Sequence, residues 1–215
     1  MTAVRLLPLV LLVALGCQPS PPPDVESPPE TLPGTAVDEA AAPQLPDGVL
    51  DEARSAADAL GMQLQGRLLA ALEEGGPTQA VEVCSVEAQE IARSLSGDGH
   101  LVRRVSLRTR NPANDPDGYE REILEEWEAV WGEEEVPGEF WEVAAREGRP
   151  TLRYLRPIPV AGPCTTCHGE PDQVAPEVMA LIRRLYPEDR AVGYSAGDLR
   201  GAVSVSIPLD TPSDR

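Results

Sequence analysis

Phe140-Trp141-Glu142-Val143-Ala144-Ala145-Arg146-Glu147-Gly148-Arg149-Pro150-Thr151-Leu152-Arg153-Tyr154-Leu155-Arg156-Pro157-Ile158-Pro159 reads as two strands about a turn. Phe140 to Ala145 and Thr151 to Pro159 flank Gly148, the pattern of an antiparallel hairpin. Downstream, Val178, Leu181, Ile182 and Leu185 recur at helical spacing, and Val203, Val205 and Ile207 then mark one face of a last strand. Upstream, Val105 and Leu107 alternate with Arg104, Ser106 and Arg108, which predicts a strand running into the turn-rich passage Arg110 to Gly118. A helix with Tyr119, Ile123, Trp127 and Val130 follows, and Trp131 to Pro137 reads as an acidic surface loop. Two helices open the domain. Leu50, Ala53, Ala57, Leu60, Leu64, Leu68 and Leu72 form the first stripe, with Asp47 as its cap and Gly75-Gly76 as its stop. Val81, Cys84, Ala88, Ile91 and Leu95 form the second, which begins after Pro77-Thr78 and turns Cys84 toward the buried side. Helices first, then hairpin-linked strands, predict an α+β domain with an antiparallel sheet.

Composition restricts the partners. The 215 residues carry 18 Lys+Arg, all of them Arg, against 36 Asp+Glu, for a net charge of −18. Phosphate binding needs clustered positive charge, so nucleic acid is excluded as a partner. Arg5 and the ten-residue apolar run Leu6 to Leu15 form a signal-peptide core. That run falls well short of the about 20 residues a bilayer span requires. Ala14-Leu15-Gly16-Cys17 resembles a bacterial lipoprotein processing box, with Cys17 the lipidated residue. Ala14 stands where Leu is usual. Gln18 after Cys17 resembles lipoproteins sent to the outer rather than the inner membrane. From Gln18 to Gln44, eight of 27 residues are Pro and five are acidic, the composition of an extended tether. The expected organisation is signal peptide 1–16, anchor and linker 17–45, one folded domain 46–210 and a tail 211–215. The expected location is the periplasmic side of a bacterial membrane.

The chemical signal is Cys164-Thr165-Thr166-Cys167-His168, a C-x-x-C-H. Two thiols at this spacing add to the two vinyl groups of one haem, and the adjacent imidazole ligates its iron, so one covalent c-type haem is expected. A thioredoxin-like pair would open a helix, whereas Pro163 precedes this one and Gly169 and Pro171 follow, predicting none. Zinc would want a second Cys or His pair, and only Cys84 and His100 remain. A Cys164–Cys167 disulfide gives His168 no role. For the second axial position the candidates are Cys84, His100, Met62 and Met179. His100 lies in a turn, Met62 lies off the apolar stripe, and a lone buried Cys84 is equally a small core hydrophobe.

Taken in order, five features resemble the Tll0287-like domain family, formerly a domain of unknown function. They are Ala80-Val81-Glu82-Val83-Cys84, Arg110-Asn111-Pro112 with Asn114, Leu152-Arg153-Tyr154, the C-x-x-C-H, and Gly197-Asp198-Leu199-Arg200-Gly201-Ala202-Val203-Ser204-Val205. The resemblance covers about residues 50–209. It implies a PAS-like α+β fold, His168 and Cys84 as the two axial ligands, and Tyr154 facing the cofactor. Arg110 and Arg200 are the side chains expected to pair with haem propionates, as Arg pairs with carboxylates. The acidic run Glu120 to Glu128 reads as a solvated helix face. No catalytic constellation stands out, so the expectation is a non-enzymatic redox or small-ligand sensor module with a signalling or redox protein partner. The alternative is a periplasmic electron carrier.

Overall fold

The computed structural model describes residues 45–209 apart from Asp98 and Glu134. The expected signal peptide, the Cys17 anchor, the linker up to Gln44 and the tail lie outside those residues. Helix α1, Val49–Ser94, is broken at Gly76, whose φ of 72° suits glycine and turns the chain before Pro77. Its two arms, 49–75 and 77–94, fold back on each other, with Arg67 bonded to Glu87 and Ala71, Ala80 and Val83 packed between. The two expected helices are therefore two arms of one hairpin. The first arm is capped by Gly48, not Asp47, and no side chain caps it.

Strands β1 (Leu101–Val105), β2 (Phe140–Arg146), β3 (Arg149–Pro159) and β4 (Leu199–Pro208) form an antiparallel sheet in the order β1-β4-β3-β2. The β2–β3 hairpin turns at Gly148 as its sequence predicts. The first strand does not. It ends at Val105, so Leu107 lies beyond it. Gly201, opposite that end, lies so close that a Cβ would come 2.1 Å from the Val105 carbonyl. Ser106 then leaves the ladder to bond Asn114 and Arg200.

Both faces of the sheet are covered. Val102, Leu152, Tyr154, Val203, Val205 and Ile207 meet Ala53, Ala57 and Leu60 of α1. Val105, Leu155 and Ala202 meet Leu124 and Trp127 of α2, Gly118–Val130. Asp117 caps α2 and Glu120 closes the capping box. Glu120 is 1% exposed and accepts from Ser204 at 2.6 Å and Arg103 at 3.1 Å. The acidic run is thus a solvated face only from Glu122 onward, because its first carboxylate neutralises arginines under the helix. Trp131 and Val136 pack on the same cluster, while Glu133 and Glu135 are exposed, as a surface loop requires.

After β3 come a 3-10 turn, Gly162–Cys164, a single helical turn α3, Thr165–His168, and α4, Pro176–Leu185. A turn of helix therefore does begin at the C-x-x-C, contrary to expectation. Pro163 occupies a first-turn position whose missing N–H costs nothing, and Gly169 stops the helix after four residues. All described residues fall in one unit, an α+β domain with its helical hairpin at the N-terminus.

Candidate cofactor site

The C-x-x-C-H turn is fastened to the loop before β4 at its His168 end. Tyr194 N donates to the His168 carbonyl at 2.9 Å and Gly193 N to that of Gly169 at 2.8 Å. His168 Nδ1 lies 2.6 Å from the Ala191 carbonyl oxygen. A carbonyl only accepts, so Nδ1 carries the proton and Nε2 keeps its lone pair. Burial, then the charges of Arg200 and Arg110, drive the imidazole well below its ordinary value. The ring is therefore neutral, fixed in tautomer and free to donate through Nε2. Its edge meets the Tyr194 ring at 6.3 Å and 87°.

Arg110 ties the site together. Its Nε and Nη2 donate to Asp189 at 3.1 and 3.2 Å, and Nη2 also reaches the carbonyls of Cys167 at 2.7 Å and Ala191 at 3.1 Å. Through these bonds, made by Nε and Nη2, Arg110 holds the loop. Arg200 bonds neutral acceptors, Ser106 Oγ at 2.7 Å and the Arg108 carbonyl at 3.1 Å, and burial pushes it down to about 10.

Cys84, Cys164 and Cys167 are all unpaired thiols. Cys167 packs with Val81, Val178 and Met179, which brings the second arm of α1 against the C-x-x-C-H turn. Cys84, one turn beyond Val81, is half-buried there. Burial pushes its thiol up, and the nearby charges of Arg104 and Arg110 pull the other way. Cys164 packs instead with Val160, Ala191 and Tyr194. His168, Arg104 and Arg200 lie deep between elements, yet each keeps accessible surface, as residues lining a cleft do. A groove of about 260 Å³ is lined by Arg110 together with Pro112, Leu185, Tyr186, Pro187 and Glu188.

Cys84, Cys164, Cys167, His168, Arg110 and Arg200 thus come to one region. Tyr154 does not join them. It is fully buried under the first arm of α1, with its hydroxyl bonded to Glu139 at 3.0 Å and Arg156 at 3.0 Å. His100 pairs with Glu52 at 3.2 Å, Met62 is 68% exposed, and Met179 is core. Among the described residues no group of three or more His, Cys, Asp or Glu side chains is poised to hold a metal.

A family model described as Tll0287-like matches residues 35–208. The chain belongs to the Tll0287-like family. The crystal structure of the cyanobacterial heme-protein Tll0287 is similar to it at 29% identity with a TM-score of 0.58, a match covering 79% of this chain and 100% of that one. No curated protein matches. The residue that sequence reasoning missed is Arg104, which shares the cleft with Cys84, His168 and Arg200. Its signal was a cation on β1 at the same parity as core-facing Val102.

Proposed function

We propose that this chain is a c-type haem protein in which Cys164 and Cys167 form the thioether bonds, His168 is one axial ligand and Cys84 the other. The observation carrying this reading is the 2.6 Å contact of His168 Nδ1 with the Ala191 carbonyl beside two unpaired thiols. It leaves a neutral Nε2 aimed away from its anchor, the second-shell arrangement that metal-binding histidines use. A bound haem supplies a one-electron couple and an axial position. Membership of a family that includes a heme-protein supports the same cofactor.

We read the module as a sensor rather than an electron carrier from the chemistry of a Cys ligand, since a thiolate would be held less well by ferrous than by ferric iron. Burial favours the protonated form of Cys84, while Arg104 and Arg110 favour the thiolate. A ligand so dependent on metal charge is suited to leaving on reduction, which opens a position for a small ligand such as CO or NO. We assign no catalytic turnover. In this reading the module stands on the periplasmic side of a bacterial membrane, lipid-anchored at Cys17 and passing its state to a redox or signalling protein. No helix of the described residues is long and apolar enough to cross a membrane.

The test is the absorption spectrum of protein matured with a c-type system, oxidised and dithionite-reduced, before and after acid–acetone extraction. Colour that stays with the protein, and CO binding only after reduction, are expected. Freely extractable haem refutes covalent attachment. A six-coordinate spectrum indifferent to CO in both oxidation states moves the assignment to electron carrier.

A further inference from the structure

Arg104 is a cation without an answering anion. It sits on β1 opposite Val203, on the sheet face covered by α1, deep between elements and yet with accessible surface. Among the described residues it has no hydrogen-bond or ion-pair partner, and the groups around it are Cys84, Tyr186, Arg200 and His168. Its sequence neighbour Arg103 is ion-paired through Nη2 with Glu120 at 3.1 Å on the other face, and Arg110 with Asp189. Three guanidinium groups act on His168, from Arg200, Arg110 and Arg104, and the carboxylate bonded into this cluster is Asp189. The Arg104 guanidinium keeps contact with solvent, so its donors are open to a ligand rather than locked into the fold.

We propose that Arg104 binds a carboxylate of the cofactor, a haem propionate, from the α1 side of the cleft; this rests on the haem reading above. The chemistry fits, because a guanidinium takes a carboxylate in two parallel charge-assisted bonds. The assignment adds Arg104 to Arg110 and Arg200, the arginines the sequence suggests; Arg110 gives its Nε and Nη2 to Asp189 and two carbonyls. Arg104 has all its donors available.

The test compares resonance Raman spectra of holoprotein with Arg104, Arg104→Gln and Arg104→Lys. The propionate bending mode shifts in Arg104→Gln and moves less in Arg104→Lys, which keeps the charge but loses the planar fork. A folded Arg104→Gln holoprotein with an unmoved propionate mode overturns the assignment. So does one that changes only the iron spin state, since Arg104 would then serve Cys84 alone. A second measurement stands if Arg104→Gln does not fold. Protein with Cys164→Ala and Cys167→Ala, native at Arg104, is titrated with haem and with haem dimethyl ester. Free haem is expected to bind about tenfold tighter, the worth of one charge-assisted pair, and equal affinity overturns the proposal. Wild-type protein that matures without haem refutes the underlying reading and this one with it. Haem-loaded wild type with negative results in the other arms removes only Arg104.

Discussion

Replacing Arg110 by Gln strands the Asp189 carboxylate inside the loop that holds His168. The two side chains are 12% and 7% exposed, and Arg110 gives Asp189 two bonds while serving the Cys167 and Ala191 carbonyls as well. Removing one partner of a buried ion pair costs about 3–5 kcal/mol. Asp189 keeps the Ala191 N–H at 2.9 Å, so the lower end, about 3 kcal/mol, is expected for Arg110→Gln. Asp189→Asn leaves Arg110 two carbonyl acceptors and a neutral amide, and about 1–2 kcal/mol is expected. The double variant strands no charge, so the two effects fall short of additive by about 2 kcal/mol. Urea unfolding of all four proteins at neutral pH, in one cofactor state, measures this. Additivity within about 0.5 kcal/mol refutes the reasoning, because independent sites add to that tolerance. A second consequence is specific to His168. Arg110 and the imidazole share the Ala191 carbonyl, so losing Arg110 leaves that acceptor to Nδ1–H and makes the imidazole a stronger donor. Haem-loaded Arg110→Gln therefore has a lower reduction potential than wild type.

Cys84→Ala is expected to change the ferric spectrum and raise the potential, since thiolate donation favours ferric iron; an unchanged spectrum and potential in a redox titration reduce Cys84 to core packing. His168→Gln should abolish or convert haem incorporation, whereas His100→Gln, which loses only the surface pair with Glu52, should leave the spectrum intact. Glu139 accepts from Arg54 and the Tyr154 hydroxyl, which hold its carboxyl below the ordinary 4.5. That stability is present above 4.5 and lost as pH falls through the lower folded value, so Glu139→Gln should flatten the acid side of a stability–pH curve measured by urea unfolding. Cys17→Ser should release matured protein from membranes into the soluble fraction; wild-type protein already soluble there rejects the anchor.

Where the chain buries one stripe, its sequence announced the structure. The two arms of α1 and the hairpin about Gly148 fall where periodicity and turn residues put them. The period-2 signal failed on β1 because a sheet covered on both faces has no outside. Val102 faces α1 and Val105 faces α2, so an arginine between them lies under one helix or the other rather than out in solvent. Glu120 escaped notice for a related reason. A capping-box carboxylate usually looks outward, and only the placement of Arg103 and Ser204 on the sheet below makes this one an internal counter-ion. The C-x-x-C-H was legible because it is local. Its orientation was not, since the Ala191 carbonyl that sets the imidazole lies 23 residues on.

The distribution of charge ties these observations together. A chain at −18 repels any anionic cofactor at long range, and that field is screened only over about 8–10 Å at physiological salt. Inside that distance, the nearest charges decide. Arg104, Arg110 and Arg200 are drawn in around His168, while Glu122, Glu125, Glu126 and Glu128 stay on the solvated face of α2. The result is a locally positive cleft in an acidic molecule. With His168 and Cys84 as ligands of a haem iron, as proposed, positive potential beside the imidazole would oppose oxidation of the metal, and a Cys84 thiolate would oppose reduction. The two terms would have opposite signs and come from neighbouring residues, since Arg104 is the leading charge acting on Cys84. Neutralising Arg104 by a propionate would therefore weaken its hold on the thiolate. Losing Arg104 should lower the potential less than its charge alone suggests, because a Cys84 less readily held as thiolate raises it in return.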